Sequence, residues 1–354
     1  MCVFQHPKSK INFHLELRGG YRVKSLWPTF SLIMNPISHQ TSTHSPISPL
    51  EHPTEWLYAF WKFSRPHTII GTSLSVLALY LISLATTDSS ITLQSLEQFL
   101  GTWISCLCGN VYIVGLNQLE DVEIDKINKP HLPIAAGEFS QRQAQLIIAI
   151  TGILALLLAG LLGGWLLLMV SISLAIGTAY SLPPIRLKRF PFWAALCIFS
   201  VRGAIVNLGL FLHFTWAFQG GITMIPTPTV WVLTLFILVF TVAIAIFKDV
   251  PDMEGDKHYN ITTFTIQLGQ QTVFNVARWI VTACYLGIIL SAILLPAVNS
   301  IVLVVTHLIA IVLMWWRSQR VDLQDKGAIA SFYQFIWKLF FWEYLIFPAA
   351  CLLA

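Results

Sequence analysis

Long uninterrupted apolar runs restrict this chain more than any other feature. The stretch VWVLTLFILVFTVAIAIF, Val230 to Phe247, carries no charge and no strand-like alternation. A strand of a membrane barrel needs short segments in which apolar and polar residues alternate. A helix crosses the hydrocarbon with about 20 apolar residues, and in lipid its backbone polar groups must pair within the segment. Nine runs meet that length: approximately Thr68–Thr86, Phe99–Asn117, Ala144–Gly163, Trp165–Ser181, Trp193–His213, Val230–Phe247, Trp279–Pro296, Ile301–Trp316 and Gln334–Leu353. Charged residues make up 11% of the chain, against about 25% in a soluble domain. The expected fold is therefore all-α: a polytopic membrane protein with nine transmembrane helices bundled around a central cavity. A tight turn at Gly163–Gly164 separates the third and fourth runs.

Charge placement orients the bundle. Lysine and arginine precede the first run (Lys8, Lys10, Arg18, Arg22, Lys24, Lys62, Arg65). They recur after the second (Lys126, Lys129, Arg142), fourth (Arg186, Lys188, Arg189), sixth (Lys248, Lys257, Arg278) and eighth (Arg317, Arg320, Lys326). The connections after the odd-numbered runs have none. The positive-inside rule then places the N-terminus and the polar loops inside and the C-terminus outside. Residues 1–53 are polar, basic in their first half and poor in acids. They are expected to be a disordered tail, or an over-extended reading frame whose true start is Met34, in preference to a transit peptide. The membrane domain is expected over 54–354, opened by an interfacial aromatic helix at Thr54–Phe63. The cysteines show no C-x-x-C pair and read as reduced, apolar-like residues.

Two acidic motifs break the apolar pattern, both where an inner-side helix end meets the interface. In NQLEDVEID, Asn117, Asp121 and Asp125 are spaced i, i+4, i+8, so a helix would stack them on one face. In KDVPDMEGD, Asp249, Asp252 and Asp256 are spaced i, i+3, i+7, although Pro251 and Gly255 disfavour a regular helix there. Carboxylates held close repel one another unless a cation shares them. Mg²⁺ suits such a site, because it takes oxygen ligands and joins carboxylates to phosphates. Basic residues on the same side suit a phosphate ligand: Arg65, Arg186, Lys188, Arg189, Lys248 and Lys257. For any one of them the positive-inside signal is also a sufficient account. Arg202 lies within a span and needs a bound anion or an aspartate as partner. Mg²⁺, diphosphate and an oily surrounding together suggest a prenyl diphosphate substrate.

Asn117-x-x-x-Asp121-x-x-x-Asp125 and Asp249-x-x-Asp252-x-x-x-Asp256, with Tyr180-Ser-Leu-Pro-Pro ahead of Lys188, resemble the UbiA superfamily of intramembrane prenyltransferases. The resemblance runs from about Phe60 to the C-terminus. The stretches WKFSRPHTIIGT (61–72), GLNQLEDVEIDKINKPHLPIAAGEFS (115–140), KDVPDMEGD and SFYQFIWKLFFWEYLIFP (331–348) resemble its homogentisate-prenylating branch, particularly the cyanobacterial type that serves tocopherol (vitamin E) synthesis. The resemblance implies an Mg²⁺-dependent transferase that moves a phytyl group from its diphosphate to homogentisate. CO₂ and pyrophosphate would be lost and 2-methyl-6-phytyl-1,4-benzoquinol formed. Asn117, Asp121 and Asp125 would hold one Mg²⁺, and Asp249, Asp252 and Asp256 another. Asp121, Asp125, Asp252 and Asp256 would be catalytic. Asn117, Arg65, Tyr180, Arg186, Lys188, Arg202 and Lys248 would bind substrate. Geranylgeranyl or solanesyl diphosphate, or another phenolic acceptor, would need the same chemistry.

A cation-coupled transporter would place its acids near the midplane on broken helices, whereas these lie at one interface. A purely structural protein would leave the paired motifs unexplained. The expected partners are a prenyl diphosphate, a small aromatic acid and the lipid of a cyanobacterial or plastid-type membrane, with no nucleic acid. Tyr112 joins Tyr180 as an aromatic face that could sit near a carbocation. For either one alone, ordinary helix packing is the better account. His67, beside Arg65, is a weaker candidate at the diphosphate. Gly160 and Gly164 form a G-x-x-x-G, read as close helix packing. Glu343 is expected to pair with another helix and Lys338 to snorkel.

Overall fold

The computed structural model describes residues 46–258 and 264–354; it does not describe the side chains of residues 251–258, Asn128, Pro191, Lys248, Asp249, Phe264 and Lys326. The expected tail therefore lies outside the described residues up to position 45. Ile47, ahead of the expected domain start at Thr54, is already packed: its N–H donates to the Glu138 carbonyl at 2.9 Å, and its own carbonyl accepts from Gln143 Nε2 at 2.9 Å.

All regular structure among the described residues is helical. Helix α1 (Pro53–Phe63) buries Ala59 and Phe63 and exposes Leu57, Tyr58 and Trp61, the amphipathic pattern of an interfacial helix. Pro66 opens α2 (Pro66–Thr87), where its missing N–H removes no intrahelical bond. Capping boxes start α3 (Leu93–Glu120), through Thr92 and Ser95, and α5 (Gln141–Leu162), through Ser140 and Gln143. Between them lies the short α4 (Val122–Asn128), and after them α6 (Gly164–Ser181). The fifth span is composite: α7 (Pro191–Phe199), a widened i→i+5 turn over Ser200–Ile205, and α8 (Val206–Phe218). There follow α9 (Pro228–His258), the short α10 (Phe264–Leu268), α11 (Gln270–Ala292), α12 (Ser300–Ser318) and α13 (Lys326–Leu352). Nine of the described helical segments are long and apolar enough to cross a membrane. The protein is a multi-pass integral membrane protein.

The expected spans hold, and their ends move for a physical reason. α11 begins at Gln270 and α13 at Lys326, each several residues ahead of its apolar run. Helices continue past the hydrocarbon, where polar residues are tolerated, so hydropathy marks only the part in lipid. α9 likewise runs on through Pro251 and Gly255, where a regular helix was not expected.

Between lipid-embedded helices there is no hydrophobic drive, so close packing and polar bonds hold them together. The α2 helix packs on α8 and α13, α3 on α5 and α6, and α9 on α11. Thr102 Oγ1 bonds His213 Nε2 at 2.9 Å between α3 and α8, and Ser105 donates to the Ala155 carbonyl at 2.8 Å between α3 and α5. Glu343 has the interhelical partner expected of it: His307 Nε2 lies 3.1 Å from its Oε2, both side chains fully buried between α12 and α13. On α5, Leu146, Ile150, Ile153, Leu157 and Leu161 form an exposed stripe at helical spacing, a face for lipid. The described cysteines are free, as expected.

The expected turn at Gly163–Gly164 is tighter than a loop. Gly163 alone separates α5 from α6, at φ 152° and ψ 158°. That backbone region is open in practice only to glycine, and a Cβ there would lie 2.6 Å from the Trp216 ring. The G-x-x-x-G reading fails, since nothing comes within 4 Å of a Cβ placed at Gly160 or Gly164. Close approach occurs elsewhere: at Gly152 on α5, a Cβ would meet the Tyr112 ring at 2.7 Å.

Candidate active site

The first acidic motif sits where α3 gives way to α4. Asp121 (φ −113°, ψ 19°) lies outside both helices, so the motif does not stack on one continuous helix as expected. The break still keeps its members together. Asn117 Nδ2 donates to Asp121 Oδ2 at 3.2 Å, and the Asp125 N–H donates to the Asp121 carbonyl at 2.7 Å.

Asp121 collects the cations. Arg186 Nη2 donates to its Oδ1 at 2.8 Å and Lys188 Nζ to its Oδ2 at 2.6 Å. The second arginine of the cluster comes from the other side: Arg65 Nη2 donates to Asn117 Oδ1 at 3.2 Å. Gln118 fixes its approach by donating from Nε2 to the Phe63 carbonyl at 2.7 Å, and Asn110 helps by bonding Thr68 Oγ1 at 2.9 Å. Arg65 and Arg186 are both left-handed, with φ of 53° and 39°. Such backbone costs about 1–3 kcal/mol per residue and persists where the surroundings impose it, often at ligand sites. The strain turns both guanidinium groups onto one motif.

Asp125 is buried, and Lys129 Nζ stands 3.8 Å from its Oδ1. Its Oδ2 is buried without a hydrogen-bond partner. Burial pushes the Asp125 carboxyl above the ordinary carboxylate range, while Lys129 and Arg65 pull it back. Burial also lowers Arg65 below its ordinary value, against the attraction of Asp125, Tyr180 and Asp121. Among the described side chains, four cations (Arg65, Lys129, Arg186, Lys188) meet two carboxylates (Asp121, Asp125). That excess of positive charge suits a polyanion.

The other candidates divide. Tyr180 lies within electrostatic reach of Asp121 and Arg65. Tyr112 is taken up in packing, its hydroxyl 2.8 Å from Thr178 Oγ1. Arg202 stands on the widened turn of the fifth span. Of the two partners expected, a bound anion or an aspartate, no aspartate pairs with it among the described side chains; it lies over rings, Trp337 at 5.2 Å and Phe340 at 6.0 Å from their centroids. Lys248, Asp249, Asp252 and Asp256 lie on the last turns of α9, their side chains outside those described. The sequence reading missed Lys129 and Trp337. An aromatic row at helical spacing along α13 (Tyr333, Trp337, Phe340, Phe341, Tyr344) was the available signal for Trp337.

A UbiA prenyltransferase family model matches residues 73–339, and the chain belongs to that family of intramembrane enzymes. It is 57% identical over 297 residues to the homogentisate phytyltransferase of Synechocystis sp., covering 83% of this chain and 96% of that protein. It is 42% identical over 296 residues to homogentisate phytyltransferase 1, chloroplastic, of Arabidopsis thaliana, covering 82% and 75%. A solved structure concerned with digeranylgeranylglyceryl phosphate synthase shares the fold at TM-score 0.60 and 22% identity, covering 85% of this chain and all of that one. A UbiA homolog from Archaeoglobus fulgidus bound to GPP and Mg²⁺ does so at TM-score 0.54 and 17% identity, covering 82% and 99%.

Proposed function

We propose that this chain transfers a phytyl group from phytyl diphosphate to homogentisate, releasing pyrophosphate and CO₂ and forming 2-methyl-6-phytyl-1,4-benzoquinol. The observation that carries the proposal is the cation excess around Asp121, at the end of a lipid-embedded bundle. Identity to homogentisate phytyltransferases over most of the chain supports the acceptor and the donor.

The donor's diphosphate lies against Arg65, Arg186 and Lys188, with Lys248 beside the second motif. The breaking C–O bond leaves its electron pair on pyrophosphate, where these cations stabilise it. Tyr180 offers a ring face to the allylic cation. A ring carbon of the acceptor forms the new C–C bond and gives up its proton. The carboxymethyl group loses CO₂, takes up a proton and remains as methyl. The residues also fit Mg²⁺: the orphaned Asp125 Oδ2, the Asp121 carboxylate and the Asn117 amide oxygen are hard oxygen donors. With Asp249, Asp252 and Asp256 they would hold the ion, which would neutralise charge on the leaving group. The A. fulgidus homolog with GPP and Mg²⁺, which shares the fold, supports a divalent metal and not the choice of ligands. We place these loops on the cytoplasmic or stromal face, on the charge pattern, and the catalytic domain at 54–354.

The test is an assay of the purified full-length protein in detergent. It receives homogentisate, Mg²⁺ and phytyl, geranylgeranyl or solanesyl diphosphate, and prenylated quinol is measured. Product is expected with phytyl diphosphate. No product with any donor would end the proposal. Asp252→Ala is expected to abolish turnover while the protein still inserts in membranes.

A further inference from the structure

Arg202 is surrounded in a way that ordinary membrane packing does not explain. The widened turn that carries it packs on α9, and Gly203 beside it is pressed so close to Leu238 that a Cβ would come within 2.4 Å. Turns of this kind recur at functional sites. The guanidinium lies over Trp337 and Phe340 on α13. The same Trp337 ring meets the His67 ring edge-on, at 5.8 Å between centroids. His67 is two residues from Arg65, so Arg202 stands next to the diphosphate cations without belonging to their cluster.

Among the described residues no carboxylate pairs with Arg202 and no hydrogen bond engages its N–H groups. The described acids of the bundle have other cations beside them: Asp121 has Arg186 and Lys188, Asp125 has Lys129 and Glu343 has His307. Ring faces attract a guanidinium but accept none of its planar fork of N–H bonds. A charge held inside a span without a counter-ion is costly and marks function. The side chain lies deep in the bundle and keeps only part of its surface open.

Which ligand follows from charge. The diphosphate already has Arg65, Arg186 and Lys188. The acceptor in the proposed reaction is also an anion, an aromatic ring carrying a carboxylate. A planar bidentate cation beside a large ring face matches such a molecule. We propose that Arg202 binds the carboxylate of the aromatic acid acceptor, with Trp337 against its ring. This inference rests on the proposed prenyl transfer to homogentisate.

The experiment uses full-length wild type, Arg202→Gln and Arg202→Lys with Mg²⁺ and phytyl diphosphate, comparing homogentisate with its methyl ester. Wild type is expected to show a KM roughly 10–100-fold higher for the ester than for the acid, the loss of a charge-assisted pair. Arg202→Gln is expected to raise the KM for homogentisate by about that factor. It should leave the KM values for the ester and for phytyl diphosphate within roughly twofold. Arg202→Lys should fall between. An unchanged homogentisate KM in Arg202→Gln overturns the proposal, as does a wild type that uses the ester as well as the acid. A rise confined to phytyl diphosphate also overturns it and assigns Arg202 to the donor. If Arg202→Gln does not fold, Arg202→Lys and the wild-type acid-to-ester comparison decide. Failure of the underlying reading looks different: wild type then prenylates neither acceptor with any donor.

Discussion

Two ionic groupings in this molecule, one partly buried and one fully buried, look alike in a sequence and differ in kind. At the α3–α4 break, Asp121 faces Arg186 and Lys188, with Arg65 held one residue away through Asn117. Between α12 and α13, Glu343 faces His307 and no other charged group among the described residues. His307 Nδ1 is spent on the Leu303 carbonyl at 2.6 Å, so its Nε2 is left for the glutamate. The second grouping pairs one acid with one imidazole across two helices and acts as a fastening between them, although Glu343 Oε1 is left without a hydrogen bond. Among the described side chains the first carries more positive charge than its acids can answer, and its arginines sit on strained backbone. An unbalanced cluster marks a binding site, whereas a balanced one marks structure.

Mutations should separate the two. Asp121→Ala is expected to lower kcat by at least roughly 10²–10³-fold, the scale of losing an electrostatic anchor at a reacting group. Membrane yield and monodispersity should be preserved; a variant that turns over normally would remove Asp121 from the chemistry. Lys188→Met leaves Asp121 still held by Arg186. It should raise the KM for the prenyl diphosphate by about 10-fold, measured with saturating acceptor. Glu343→Leu strands a buried imidazole nitrogen. It should cost about 1–3 kcal/mol of stability, read by thermal unfolding in micelles, and leave both KM values alone. Lys126→Ala removes an exposed pair with Glu123 and should move neither activity nor melting, since such pairs contribute about 0–1 kcal/mol. If Glu343→Leu changed the KM and left stability intact, the contrast between the two groupings would collapse.

Much of this was legible in the sequence because lipid simplifies the code. Runs such as Val230–Phe247 could only be helices, and the one-glycine link at Gly163 showed as a gap between two of them. The acidic motifs stood out because ionisable residues are rare in such a chain. Arg186 and Lys188 were found by type, but their meeting on Asp121 needed the fold, since the two loops are far apart in the chain. The continuous helix expected through Asp121 was wrong: spacing alone does not report where a helix stops. Trp337 and Phe340 were hidden for a different reason. An aromatic residue facing lipid and one facing an interior arginine have the same hydropathy, and only packing tells them apart.

The one-residue connection at Gly163 has a consequence for biogenesis. Its N–H bonds the Ala159 carbonyl at 3.1 Å, and its carbonyl accepts from Leu167 N–H at 3.0 Å. The link therefore exposes little unpaired backbone and has no slack. Backbone polar groups must be paired in lipid, and with no loop between them α5 and α6 are expected to enter the bilayer as a single hairpin. Lengthening Gly163 into a flexible linker would allow the third span to dwell alone in the lipid, or to be left in the wrong orientation, before its neighbour arrives.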